Sequence, residues 1–147
     1  MAHGLPYIDA ASGIESPDGR FEHAGGHIAV VLPGGPCYNC MGLLDHAEAR
    51  YFLKPANEQA NDRNLGYARG WDEPSPSVVS LNGVVASSAV TEAMCYLTGF
   101  TSPNLLTMYY LRDLETGFQR MTRRHVKADP DCVSCQSAGQ ADAIPPC

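Results

Sequence analysis

Two short stretches of this chain place thiols where they could share one ion. PGGPCYNC carries Cys37 and Cys40, and DPDCVSC carries Cys132 and Cys135, so each is a Cys-x-x-Cys pair. A two-residue spacer lets both thiolates of a pair reach the same zinc at about 2.3 Å, and two such pairs close a tetrahedral four-sulfur site. The gap between the pairs is roughly ninety residues, far beyond the spacing of a compact zinc finger, so the ion would have to tie together distant parts of a larger fold. A closed site of this kind leaves no position for substrate and is expected to stabilise rather than catalyse. The competing reading is two unrelated pairs of reduced thiols. A thioredoxin-type redox role fits less well, because neither pair sits where a strand runs directly into a helix.

The other reactive side chains carry weaker signals. Cys95 falls in an apolar helical stretch and reads as a small buried hydrophobe, while Cys147 lacks a positioned base. His3, His23, His27 and His46 are scattered without ligand spacing and are assigned no metal. Asp9, within a strand pattern, reads as a solvent-facing carboxylate. Arg120, Arg123, Arg124, His125 and Lys127 form a local basic cluster, read as a solvated strand edge, with an acidic partner face as the alternative.

Composition sets the frame for these residues. With 147 residues and 44% hydrophobic content the chain can bury one core, but not two comfortable ones. Ten Lys and Arg against sixteen Asp and Glu leave a net charge of −6, which argues against a general nucleic-acid binder. The sequence has no long apolar run for a membrane span, and MAHGLPYIDAASG lacks the pattern of a signal peptide. The expected compartment is the cytoplasm, where cysteines persist as thiols or metal ligands rather than as a disulfide framework.

The elements that must position the thiols can be read from pattern. LPYIDAAS (5–12) and HIAVVL (27–32) read as strands, separated by a turn-rich connection containing SPDGRFEHAGG. The second strand runs into PGGPCYNC, which puts the first pair in a tight Gly/Pro loop at a sheet edge. LLDHAEARYFL (43–53) has helical spacing, and the polar segment after it, PANEQANDRNLGYARGWDEPSPS, reads as a long functional or mobile loop. Residues 77–99 read as the longest helix, capped at Ser75 or Ser77, ended by Gly99 and apolar nearly all round, hence buried. Its small residues Ser80, Gly83, Ser87 and Thr91 suit close packing. NLLTMYYLRD (104–113) and FQRMTRRHV (118–126) flank LETG as an antiparallel hairpin that leads to the second pair. Residues 137–147 lack periodicity and are expected to be a disordered tail.

In this order, PGGPCYNC, the helix from PSVVSLNG to YLTGF, and CVSC after a hairpin resemble the C-terminal half of the ThiF/MoeB family. The resemblance spans roughly residues 3–136, treated as a single zinc-bearing region within 1–136. It implies an α/β fold: half of a Rossmann-like architecture with a mixed sheet, one long buried helix and structural zinc on Cys37, Cys40, Cys132 and Cys135. Such enzymes use ATP and Mg2+ to adenylate the C-terminal glycine of a ubiquitin-like or sulfur-carrier protein. No G-x-G-x-x-G or Walker loop occurs in these residues, so no catalytic or ATP-binding residue is carried over and ATP and Mg2+ are expected only in a complete assembly. The expected partners are a nucleotide-binding half on another chain, a second copy, and the carrier protein. In the family the segment after the first pair arches over the bound tail. Here it holds Tyr67, Arg69 and Trp71, the candidates for contacting that tail, and no cysteine for a thioester. The alternative is a non-catalytic, zinc-stabilised scaffold.

Overall fold

A computed structural model of the chain describes residues 5–15, 23–67, 78–111 and 119–136. Four strands, β1 (Tyr7–Glu15), β2 (His23–Val31), β3 (Leu106–Tyr110) and β4 (Arg120–Arg124), form one sheet in the order β1-β2-β3-β4. Every neighbouring pair is antiparallel, which replaces the mixed sheet implied by the resemblance. Among the described residues, three helices lie between β2 and β3, α1 (His46–Phe52), α2 (Ala56–Asn64) and α3 (Val79–Thr98), and one turn of helix, α4 (Val133–Gln136), follows β4.

The first two strands form as expected, but β2 begins at His23, so the AGG read as part of a turn lies inside a strand. Packing accounts for these glycines. A Cβ on Gly26 would lie 2.3 Å from the Ala11 carbonyl oxygen and 2.8 Å from Val85 Cγ2, and one on Gly25 would lie 2.3 Å from the Tyr109 oxygen. Glycine here admits a close approach of strand and helix.

Residues alternate between the two faces of the sheet. On one face Ala24, Ile28, Val30 and Tyr109 pack against Leu81 and Val85 of α3. On the other, Ala29, Val31 and Leu106 pack against Met41, with Tyr38, Leu43 and Val126 around them. The first cysteine loop therefore covers the sheet at the end of an inner strand rather than at an edge.

Helix α3 departs from expectation in its exposure. Gly99 ends it at φ 65°, donating its N–H to the Cys95 carbonyl, as its place in the sequence predicts. Ser75 and Ser77 lie outside the described residues, and Val78 caps the helix without a side-chain bond. Among its residues only Leu81 and Val85 are fully buried, while Val79, Val84, Val90, Met94 and Leu97 are exposed and Cys95 is half-buried. One sheet face offers only one contact stripe, so a helix that is apolar all round stays bare on its far side. The small-residue stripe of Ser80, Gly83, Ser87 and Thr91 is exposed as well. Polar ties help to hold the helix in place. Ser12 Oγ donates to Asn82 Oδ1 at 2.6 Å, and the Glu92 carboxylate accepts both the backbone N–H and the side-chain amide of Asn104 at 2.7 Å.

The long polar segment contains a helix that pattern could not reveal, because α2 buries no residue. Lys54 Nζ contacts Asp62 Oδ2 at 2.6 Å, and Gln59 Nε2 donates to the Lys54 carbonyl at 2.8 Å. Local side-chain bonds substitute here for an apolar face.

A four-cysteine candidate metal centre

The first loop is built by backbone geometry. After β2 the chain turns with the Gly35 N–H donating to the Leu32 carbonyl, with Gly34 at φ 76°. Cys37 then begins a single helical turn: the Met41 N–H reaches the Cys37 carbonyl at 3.1 Å, and Gly42, at φ 70°, turns the chain out again. A side chain with a Cβ would strain both left-handed positions. The second loop has its own lock. Asp129 Oδ1 accepts the Asp131 N–H at 2.9 Å and its carbonyl accepts the Cys132 N–H, which starts the turn that presents Cys135.

These turns bring four sulfurs together. Cys37 Sγ lies 3.6 Å from both Cys40 Sγ and Cys132 Sγ, Cys40 Sγ lies 3.5 Å from Cys135 Sγ, and all four are within 4.8 Å of one another. A sulfur tetrahedron around zinc at about 2.3 Å has edges of about 3.8 Å, whereas a disulfide needs about 2.05 Å. The four cysteines therefore fit a metal ion and form no disulfide among themselves. Cys37 and Cys132 are buried while Cys40 and Cys135 are half-buried, so protein encloses the cluster on one side. The thiols expected from spacing are brought together, although Cys37 and Cys132 are 95 positions apart.

The surroundings favour thiolate at one of them first. The N–H of Cys135 and then the Asn39 amide push Cys132 down to about 6, and Asn39 Nδ2 stands 3.6 Å from its sulfur. Burial pushes Cys135 up. His46 Nε2, 2.8 Å from Asn39 Oδ1, fixes the direction of that amide. His46 thus contacts a neighbour of the cluster. Such outer hydrogen bonds orient ligands and tune a bound metal.

Beside the cluster lies a polar knot that the sequence concealed. Asp9 Oδ2 is 2.8 Å from His27 Nε2 and accepts from the Tyr38 hydroxyl at 3.1 Å, while Oδ1 accepts from the Tyr7 hydroxyl at 3.1 Å. His27 Nε2 also lies 3.1 Å from Tyr38 Oη. Asp9 is half-buried, which corrects the solvent-facing reading. Register explains the contact: Asp9 opposes Ala29 and His27 opposes Ala11, so the two are diagonal neighbours on one face. Burial, followed by the Asp9 carboxylate, pushes the Tyr38 phenol up to about 12. Because Tyr38 follows Cys37 directly, the knot joins the first cysteine loop to β1 and β2. No local spacing links positions 9, 27 and 38; the only signal was a charge within a strand.

Of the residues proposed to contact a bound tail, Tyr67 follows α2 and is 73% exposed. It borders a cleft of about 340 Å³ with Arg50, Tyr51, Lys54 and Asp62. Arg69 and Trp71, like Cys147 and the rest of 137–147, lie outside the described residues.

No protein-family model matches the chain, and no curated protein matches it. Twelve chains of solved structure do. Among them is the crystal structure of E. coli MccB with MccA-N7isoASN, matched over 90% of this chain with a TM-score of 0.58 and 14% identity. This chain spans about a third of MccB, 34% of its length. At that identity the likeness is one of fold. Among the described residues, no helix is long and apolar enough to cross a membrane.

Proposed function

We propose that this chain is the zinc-bearing, tail-binding part of an enzyme that adenylates the C-terminal glycine of a ubiquitin-like or sulfur-carrier protein. The observation that carries this reading is the convergence of Cys37, Cys40, Cys132 and Cys135 within a fold that is matched to MccB over 90% of the chain. MccB was solved together with MccA-N7isoASN, which supports a second bound molecule beside this fold. The motif order PGGPCYNC, PSVVSLNG and CVSC points the same way.

The chemistry asked of the complete assembly is a displacement. A carboxylate oxygen bonds to the α-phosphorus of ATP, the bond to the β-phosphate oxygen breaks, and pyrophosphate leaves. These residues hold no nucleotide loop, so ATP and Mg2+ are assigned to a nucleotide-binding half outside this sequence. The share of this chain is positional. Zinc, held by the four thiolates, would fix the two cysteine loops and supply no open position for substrate. Tyr67, Arg69 and Trp71 would contact the tail. The uncharged outer face of α3, with Val90, Met94 and Leu97 exposed, would be covered by the rest of the assembly. The setting is cytoplasmic, with no nucleic acid or membrane partner.

The absence of a phosphate loop from these residues favours a second reading, a zinc-stabilised scaffold that binds the carrier protein or its enzyme without activating it. ATP–pyrophosphate exchange separates the two. The chain is assayed alone and co-expressed with candidate nucleotide-binding partners, with a candidate ubiquitin-like protein present. Exchange only in the combined sample supports the enzyme; capture of the carrier without exchange supports the scaffold.

A further inference from the structure

The basic cluster lies on β4, which is the last strand of the sheet. One side of β4 pairs with β3 from Leu106↔Arg124 to Tyr110↔Arg120, and the other has no strand partner among the described residues. Such an edge presents free N–H and C=O groups to which an extended segment can add as a further strand. Charges on an edge ordinarily block indiscriminate addition, but they block by sign: like charge is repelled and opposite charge is drawn in.

Here the sign is uniform. In a chain of net charge −6, residues 119–128 hold Arg120, Arg123, Arg124 and Lys127 and no acid. Arg123, Arg124, His125 and Lys127 are exposed, and the ion pairs among the described residues, Asp9–His27 and Lys54–Asp62, lie elsewhere. Arg120 sits 5.1 Å over the Tyr110 ring. The strand period sends Arg120 and Arg124 to the sheet face of Met108 and sends Arg123 to the α3 face, so cations flank the edge on both sides. Past the end of β4, a cleft of about 290 Å³ is lined by Asn104, Arg123, Arg124 and His125. Its floor is held, because both amide groups of Asn104 are bound by Glu92.

We propose that β4 is a docking edge for an acidic, extended segment of a partner protein. The segment adds as a fifth strand, and its carboxylates meet Arg123 and Arg124 along the edge and the Arg123–His125 cleft at its end. The inference rests on the edge and its charge, and it stands whether or not the adenylation reading does.

The test uses a labelled decapeptide alternating Glu and Thr. Its comparators are the Lys-for-Glu peptide, the Glu peptide N-methylated at alternate amides, and oligo-dT, all measured by anisotropy, with amide exchange on the protein. The Glu peptide should bind at least about tenfold more tightly than each comparator and should slow exchange in residues 120–124. Arg123→Glu/Arg124→Glu should lower that affinity at least about tenfold while circular dichroism stays unchanged; Arg123→Gln/Arg124→Gln replaces it if the reversal impairs folding. Several results would overturn the proposal: no binding, equal binding of the N-methylated peptide, protection away from β4, or oligo-dT binding as tightly as the Glu peptide.

Discussion

The two faces of the sheet are covered by different means. On one, Leu81 and Val85 of a 20-residue helix seal Ile28, Val30 and Tyr109 by apolar burial. On the other, Met41, Tyr38 and Leu43 come from a short loop, whose apolar contacts are joined by a four-sulfur cluster and by the Asp9 knot. A helix can rely on area. A short loop has little surface to bury and its glycines lose much backbone entropy on ordering, so a cross-link is the effective device.

If that contrast is right, the largest loss comes from the cluster. Chelation or Cys132→Ser should lower the melting temperature by more than about 10 °C, since structural zinc contributes up to ~10–16 kcal/mol in small metal-dependent domains. A loss smaller than that of a single core truncation would break the contrast. Next comes the helix face: Leu81→Ala should cost about 2–5 kcal/mol in denaturant titrations, and Val90→Ala on the bare face within about 0.5 kcal/mol. Similar losses at both would mean that the outer face is covered in the protein as tested.

A smaller effect sharpens the account of the cluster. Asn39→Ala removes the amide donor to Cys132 and should weaken metal binding about 10–100-fold in competition with a chelator, with all four thiols still present. Smallest is the pH effect of Tyr38. Its phenol is raised from 10.0 to about 12, so the neutral form is favoured in the folded state; this stability is fully present below pH 10.0 and lost as pH climbs towards 12. Absorbance titration should show a late-ionising component near pH 12 that Tyr38→Phe removes, beside that of Tyr7, whose phenol is also raised by its bond to Asp9.

How legible this was depended on range. The Cys-x-x-Cys pairs could be read at once, because two local spacings carry the whole ligand set, and the second hairpin could be read from the two strand-like runs that flank LETG. Gly99 marked the helix end because only the left-handed conformation was needed there. Helix α2 was hidden because it buries nothing, and the bare side of α3 was hidden because hydrophobicity does not say which partner covers a face. The Asp9–His27–Tyr38 knot is a product of strand register and loop placement, neither of which has a local signature.

The most direct test of the cross-link is zinc analysis with X-ray absorption on protein purified without chelator. We expect about one zinc per chain with four sulfur neighbours at about 2.3 Å, tying residues 37–40 to 132–135. Metal-free protein that melts unchanged with chelator present, or a shell containing nitrogen or oxygen in place of a sulfur, would contradict the account.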